Sequence, residues 1–159
     1  MAAAVFAGLL GFATRAEAIQ IELGTLNFVD PEADTKVGAG IVNDFHFGGP
    51  LSFVYGFHFA FDKNHLVSDL QLGPLLVIGE QGIAPRIGAT FLLVFANGFD
   101  DHPGFILGGG KAIAGIAWVF DNGRSIYVDA EPWYAAMLDG PPGDEASRFG
   151  LNVWLGFAF

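Results

Sequence analysis

The chain has 159 residues, of which 52% are hydrophobic and only 15% charged, against about 25% charged in an ordinary soluble domain. That is one domain's worth of chain, and it is too apolar for a conventional soluble surface; yet its uncharged stretches, such as Ile87 to Phe99, fall short of the roughly 20 apolar residues a spanning helix needs. The net charge of -10 repels a phosphate backbone, which excludes nucleic acid as a partner, and the absence of cysteine removes disulfides, thiolate metal sites and cysteine nucleophiles.

The first element is an apolar, small-residue run from Ala2 to Ala13, followed by Thr14, Arg15 and the triplet Ala16-Glu17-Ala18. The triplet has the form a signal peptidase cuts. Residues 1–18 are therefore expected to be an export leader, and residues 19–159 the folded domain beginning at Ile19.

Composition assigns the remainder to strands, with 23 glycines and 17 phenylalanines beside 2 methionines. Strands are expected near 19–28, 36–47, 51–61, 66–78, 86–96, 105–120, 125–134 and 148–159. The third is the clearest. From Leu51 to Phe61, the residues Leu51, Phe53, Tyr55, Phe57, Phe59 and Phe61 fall on one face, and Ser52, Val54, Gly56, His58 and Ala60 on the other. A period of two is the mark of a strand. Here the bulky face is apolar and the other is small and only partly polar, as in a barrel whose outer wall meets lipid while its inner wall packs a narrow lumen.

The links alternate in character. With the N-terminus placed on the periplasmic side, Gly48-Gly49-Pro50, Gly79 to Pro85 and Asp121 to Arg124 are the inner turns, and Asn122-Gly123 is a strong hairpin signal. The outer links are Val29 to Thr35, Asp62 to His65, Asn97 to Gly104 and Ala135 to Ser147. They read as acidic, with Asp30, Glu32, Asp34, Asp62, Asp100, Asp101, Asp139, Asp144 and Glu145 against Lys36 and Lys63. Aromatic girdles at the two interfaces are expected from Phe28, Phe61, Trp133 and Tyr134 at the outer ends, and from Phe45, Phe47, Trp118, Phe120 and Phe159 at the inner ends.

The last segment repeats the strand design, with Phe149, Leu151, Val153, Leu155, Phe157 and Phe159 on one face and Arg148, Gly150, Asn152, Trp154, Gly156 and Ala158 on the other. In this pattern the chain resembles the small eight-stranded outer-membrane barrels of the OmpA transmembrane domain and OmpX type. The resemblance implies an all-β, antiparallel, up-and-down transmembrane barrel in the outer membrane of a Gram-negative bacterium. It implies outer-membrane lipid and lipopolysaccharide as surroundings, and a terminal strand, Leu155, Phe157 and Phe159 above all, that the barrel-insertion machinery reads. It implies no activity.

Carried through every strand, the alternation collects Glu22, Asp44, His46, His58, Asp69, Gln71, Arg86, Lys111, Asp129, Glu131, Arg148 and Asn152 on the inner face. Charges there must pair, so the acids are expected to meet Arg86, Lys111 and Arg148. Asp44, His46 and His58 form only a weak candidate metal set, and no cofactor motif occurs. The four serines, Ser52, Ser68, Ser125 and Ser147, show no hydrolase arrangement with a histidine. The expectation is a non-enzymatic barrel serving envelope integrity or surface-loop interactions. The rivals are a narrow cation-preferring pore, a lipid-modifying membrane hydrolase and a soluble exported β-barrel or sandwich.

Overall fold

Strict alternation of large apolar and small or polar residues leaves each segment one stable use, as a strand with two unlike faces, and closing the strands into a ring lets every edge find a partner. The computed structural model describes residues 18–30, 34–46, 50–61, 65–98, 104–140 and 147–159. Eight strands follow in chain order: β1 (Ala18–Asp30), β2 (Asp34–His46), β3 (Leu51–Phe61), β4 (His65–Val77), β5 (Gly82–Gly98), β6 (Phe105–Val119), β7 (Ser125–Asp139) and β8 (Ser147–Ala158). Each pairs antiparallel with the next, and β8 returns to β1 to form a closed barrel. The leader expectation lies outside the described residues except for Ala18, the first residue of β1.

Several strands outrun the sequence reading. β5 begins at Gly82, so the link expected from Gly79 to Pro85 shrinks to 78–81. Pro85 enters the strand because it needs only its carbonyl there, accepting from the Ile78 N–H at 2.9 Å. β7 runs on to Asp139 rather than 134, where Ala135 to Met137 pair with β6. The turn between β6 and β7 follows its hairpin signal. Gly123 takes the left-handed backbone (φ 79°) and donates to the Phe120 carbonyl at 3.0 Å, and the Asn122 side chain accepts from the Arg124 N–H at 3.1 Å.

The faces sort by chemistry. Among the described side chains the outward positions carry Phe, Leu, Ile, Val, Tyr, Trp, Ala, Gly, Pro and a few Thr, Asn and Ser; the one charged side chain exposed within a strand is Asp139, at the irregular end of β7 where it pairs with Ile106. Large apolar side chains such as Ile83, Phe91 and Leu155 stand more than half exposed there.

The interior is filled in three layers. Nearest the ends of β1 and β2 that flank residues 31–33, Leu26, Phe28, Val67, Val94, Leu107 and Trp133 form an apolar plug. A polar layer crosses the middle. Toward the short turns lie small apolar clusters around Val54 and Leu75 and around Ala117 and Ala158, and a cavity of about 620 Å³ lined by Val77, Ala117, Val119 and Ala158 together with Gln20, Asp44 and Arg86.

Two expectations are corrected here. Phe28 and Trp133 belong to no girdle, since both turn inward and pack edge to face at 5.2 Å between centroids. The phase of each strand, rather than closeness to its end, decides this: Trp133 shares its face with Asp129 and Glu131. Lys36 is likewise no loop charge. It is buried inside, bonded to Asp34 and lying 5.8 Å from the centre of the Phe28 ring. Phe61, Tyr134, Trp118, Phe120 and Phe159 do face outward. Phe47 and the loop residues Glu32, Asp62, Lys63, Asp100, Asp101, Asp144 and Glu145 lie outside the described residues.

Candidate functional site

The middle layer gathers side chains from six strands. Inward phase turns Glu22 from β1, His58 from β3, Asp69 from β4, Lys111 from β6 and Glu131 from β7 into the lumen, and register brings Glu22, through Gly40 of β2, and Asp69 level with His58, while the stagger of the later strands carries Lys111 and Glu131 to them. His58 is fully buried between two carboxylates, with Nδ1 2.9 Å from Asp69 Oδ1 and Nε2 2.5 Å from Glu22 Oε2. Its ring stacks on Trp154, with centroids 4.4 Å apart. Lys111 Nζ donates to Glu131 Oε2 at 2.8 Å and lies 3.7 Å from Asp69 Oδ1. The Trp154 indole N–H donates to the same Glu131 oxygen at 2.9 Å.

A second cluster joins the first through Glu22. Tyr127 donates its hydroxyl hydrogen to Glu22 Oε1 at 2.6 Å, and its ring carries the Arg86 guanidinium 3.7 Å above the centroid. Arg86 grips Asp129 from Nε at 3.0 and 3.1 Å to the two oxygens and from Nη2 at 3.0 Å, and reaches Gln20 Oε1 at 3.4 Å. A charged pair held by this many contacts keeps the attraction that a low-dielectric interior offers, whereas an isolated charge there would be costly.

Inward glycines make room for the large members. A β-carbon at Gly40 would overlap the His58 ring, one at Gly115 would overlap the Asp129 carboxylate, and one at Gly156 would overlap the Tyr127 ring. At these three positions a big polar side chain lies flat across bare backbone.

Of the residues read from sequence, Glu22, His58, Asp69, Arg86, Lys111, Asp129 and Glu131 come together in this network. Asp44 is buried nearer the short turns, where it lines the cavity with Gln20 and Arg86. Gln71 is also buried inside, and Asn152 accepts from the Trp133 indole N–H at 3.0 Å. Arg148 is half-buried near the opposite mouth, its guanidinium carbon 5.0 Å from the centre of the Phe105 ring. The His46 side chain lies outside the described residues. Leu155, Phe157 and Phe159 face outward. The sequence reading passed over Tyr127 and Gln20, although each shares its strand's inward phase with an acid already chosen, Asp129 and Glu22 respectively.

The arrangement limits the chemistry available. Asp44 sits opposite Val54, four residues along β3 from His58, a separation of about 13 Å at strand spacing, so the candidate metal set is not assembled. Both nitrogens of His58 face carboxylates, leaving neither to serve as base for a serine. Ser52 is buried and donates to the Leu75 carbonyl at 3.2 Å.

No protein-family model and no curated protein sequence matches the chain. Among solved structures it is similar to Neisserial surface protein A of Neisseria, with a TM-score of 0.72 and 9% identity over 89% of this chain and 94% of that one. The fold is that of the small eight-stranded outer-membrane barrels. The N-terminal β-barrel domain of Pseudomonas aeruginosa OprF superposes as well, with a TM-score of 0.59 and 16% identity over 89% of this chain and 97% of that domain. At these identities the likeness is one of fold. The outer-membrane barrel fold accounts for the closed ring of strands, while the polar layer just described is a property of this chain's own residues.

Proposed function

We propose that this chain is a non-conducting barrel of the outer membrane of a Gram-negative bacterium, serving envelope integrity or presenting its loops to partners. The observation that carries the reading is the sorting of charge in a closed barrel: among the described residues the outward positions between the strand ends hold none, and the buried acids and bases face the lumen. A soluble barrel or sandwich has the opposite need, polar outside and apolar within. An apolar wall around an internally paired core matches a bilayer as solvent.

Export on residues 1–18 belongs to this reading. A cut after Ala18 removes only the first residue of β1. Outer-membrane lipid, lipopolysaccharide and the insertion machinery that reads terminal strands are the partners it carries, with the outward face of β8 as the surface the machinery would meet.

The polar middle layer favours a second reading, a narrow cation-preferring pore. Opposing it are the apolar plug above that layer and the closely paired ions within it. The test reconstitutes the chain in planar bilayers and follows its fractionation in cells. The reading expects outer-membrane fractionation with no unitary conductance above background. Steady cation-selective steps would install the pore instead, and recovery of the protein in the periplasm would overturn the membrane assignment.

A further inference from the structure

Proline cannot donate to a strand ladder, and the barrel places two prolines where that defect is shared. β4 and β5 keep one register from His65↔Gly98 to Val77↔Arg86, but the pairs 73↔90 and 74↔89 are missing. β6 and β7 keep one register from Leu107↔Met137 to Val119↔Ser125, but 112↔132 and 113↔131 are missing. In an antiparallel ladder, directly opposed residues exchange both bonds at every second pair. Loss of the Pro74 and Pro132 donors accounts for both gaps, and leaves the carbonyls of Ala89 and Ala112 without their ladder donors.

Ala89 and Ala112 are themselves direct partners across β5 and β6. Pro74, Ala89, Ala112 and Pro132 therefore form a single row across four strands, all on the outward face and all exposed. Between the two gaps the β5–β6 hairpin is unbroken, paired residue for residue from Gly82↔Val119 to Ala96↔Phe105. A third gap shows what repair looks like. Where β1 and β8 lack the pairs 26↔152 and 27↔151, Asn27 Nδ2 donates to the Leu151 carbonyl at 2.6 Å and the Asn27 N–H donates to Asn152 Oδ1 at 3.3 Å. Among the described residues no side-chain bond of this kind ends on the carbonyl of Ala89 or Ala112.

We propose that the β5–β6 hairpin is a lateral gate, parting from β4 and β7 at this row while it stays paired within itself. Directly behind the row, on the inner face, stand Thr90 and Lys111, which oppose each other across the hairpin. Opening there joins the barrel's polar layer to the outer wall by a route the apolar plug and the short turns do not control, and what holds it shut from inside is the set of bonds from the hairpin to its neighbours, Lys111 to Glu131 and Asp69 and Arg86 to Asp129. The inference rests on register and on proline chemistry, and stands whether or not the loops bind partners.

Residue-resolved amide exchange of the refolded chain in lipid nanodiscs tests it. The 74↔89 and 112↔132 geometry directs the amides of 87, 89 and 91 toward β4 and those of 110, 112 and 114 toward β7; the amides of 88, 90, 92, 111, 113 and 115 face within the hairpin. The gate predicts that the first set exchanges at least about tenfold faster than the second, with no such alternation across the continuous β2–β3 ladder. Pro74→Ala and Pro132→Ala restore the donors and should slow the first set roughly two- to tenfold, the factor one ordinary hydrogen bond supplies. Equal protection of the two sets in the unaltered chain would overturn the gate, whatever the variants do. So would alternation that both folded variants leave unchanged. Absence from the outer membrane, by contrast, would remove the proposed function and leave the exchange pattern to be judged by itself.

Discussion

Replacing Arg86 by methionine tests the interior most severely, because that guanidinium serves three neighbours at once. It is 5% exposed, makes three contacts of 3.0 to 3.1 Å with Asp129, and lies 3.7 Å above the Tyr127 ring. Methionine fills much of the same volume, so the loss is mainly electrostatic: Asp129 is left as an uncompensated buried charge, which typically costs about 3 to 5 kcal/mol. Loss of the cation–π contact adds on the order of 1 kcal/mol. Water from the adjoining cavity of about 620 Å³ offsets part of this by reaching the carboxylate. The expected destabilisation is therefore about 3 to 5 kcal/mol, measured by urea unfolding in lipid bilayers. Arg124→Met, in the exposed β6–β7 turn, should cost about 0 to 1 kcal/mol in the same assay. The double substitution Arg86→Met with Asp129→Leu should recover most of the loss, since apolar replacement of a whole buried pair is often neutral. If Arg86→Met costs no more than Arg124→Met, or the double variant is worse than the single one, the paired-lumen reasoning is wrong.

Three further outcomes are expected. His58→Leu removes the group between Glu22 and Asp69 and should cost about 3 kcal/mol or more, with partial recovery when Glu22→Gln is added; thermal or urea unfolding of the pair checks this, and no recovery would deny that the two acids are coupled through the ring. Gly156→Ala drives a β-carbon into the Tyr127 ring and should cost about 1 to 3 kcal/mol, whereas a neutral result would mean that Tyr127 does not lie across β8. Phe57→Arg, at an outward position near the middle of β3, should cost about 2 to 4 kcal/mol in a bilayer folding titration; indifference there would argue that this face does not meet lipid.

Much of the fold was legible because period two admits no other structure. β3 runs from Leu51 to Phe61 as read, and β8 differs from its reading by one residue at each end. The errors fell where a local rule met a competing one. Pro85 and its neighbouring glycines read as a turn, yet a proline that supplies only its carbonyl fits within a strand. The tail of β7, Ala135-Ala136-Met137-Leu138, alternates too weakly to announce itself. Lys36 looked like a loop charge because its neighbours Asp30, Glu32 and Asp34 are acidic, but its phase with Val42 and Asp44 put it inside. Strand phase thus identifies which residues point inward, and applied without exception it would have included Tyr127 and Trp133. Which acid meets which base depends on the stagger between strands far apart in sequence. Arg86 and Asp129 are 43 residues apart, and Tyr127 and Glu22 are 105 apart, so no local pattern could pair them.

The inside-outside assignment in a bilayer is the claim on which the account stands, and the three tryptophans report on it directly. Trp118 is 53% exposed on the outward face, while Trp133 and Trp154 are 4% and 0% exposed inside. In vesicles of phosphatidylcholine with bromines placed at several acyl depths, quenching of the intrinsic fluorescence should be largely lost in Trp118→Phe and retained in Trp133→Phe and Trp154→Phe. Quenching that survives Trp118→Phe undiminished, or folded protein that no brominated lipid quenches, would contradict the account.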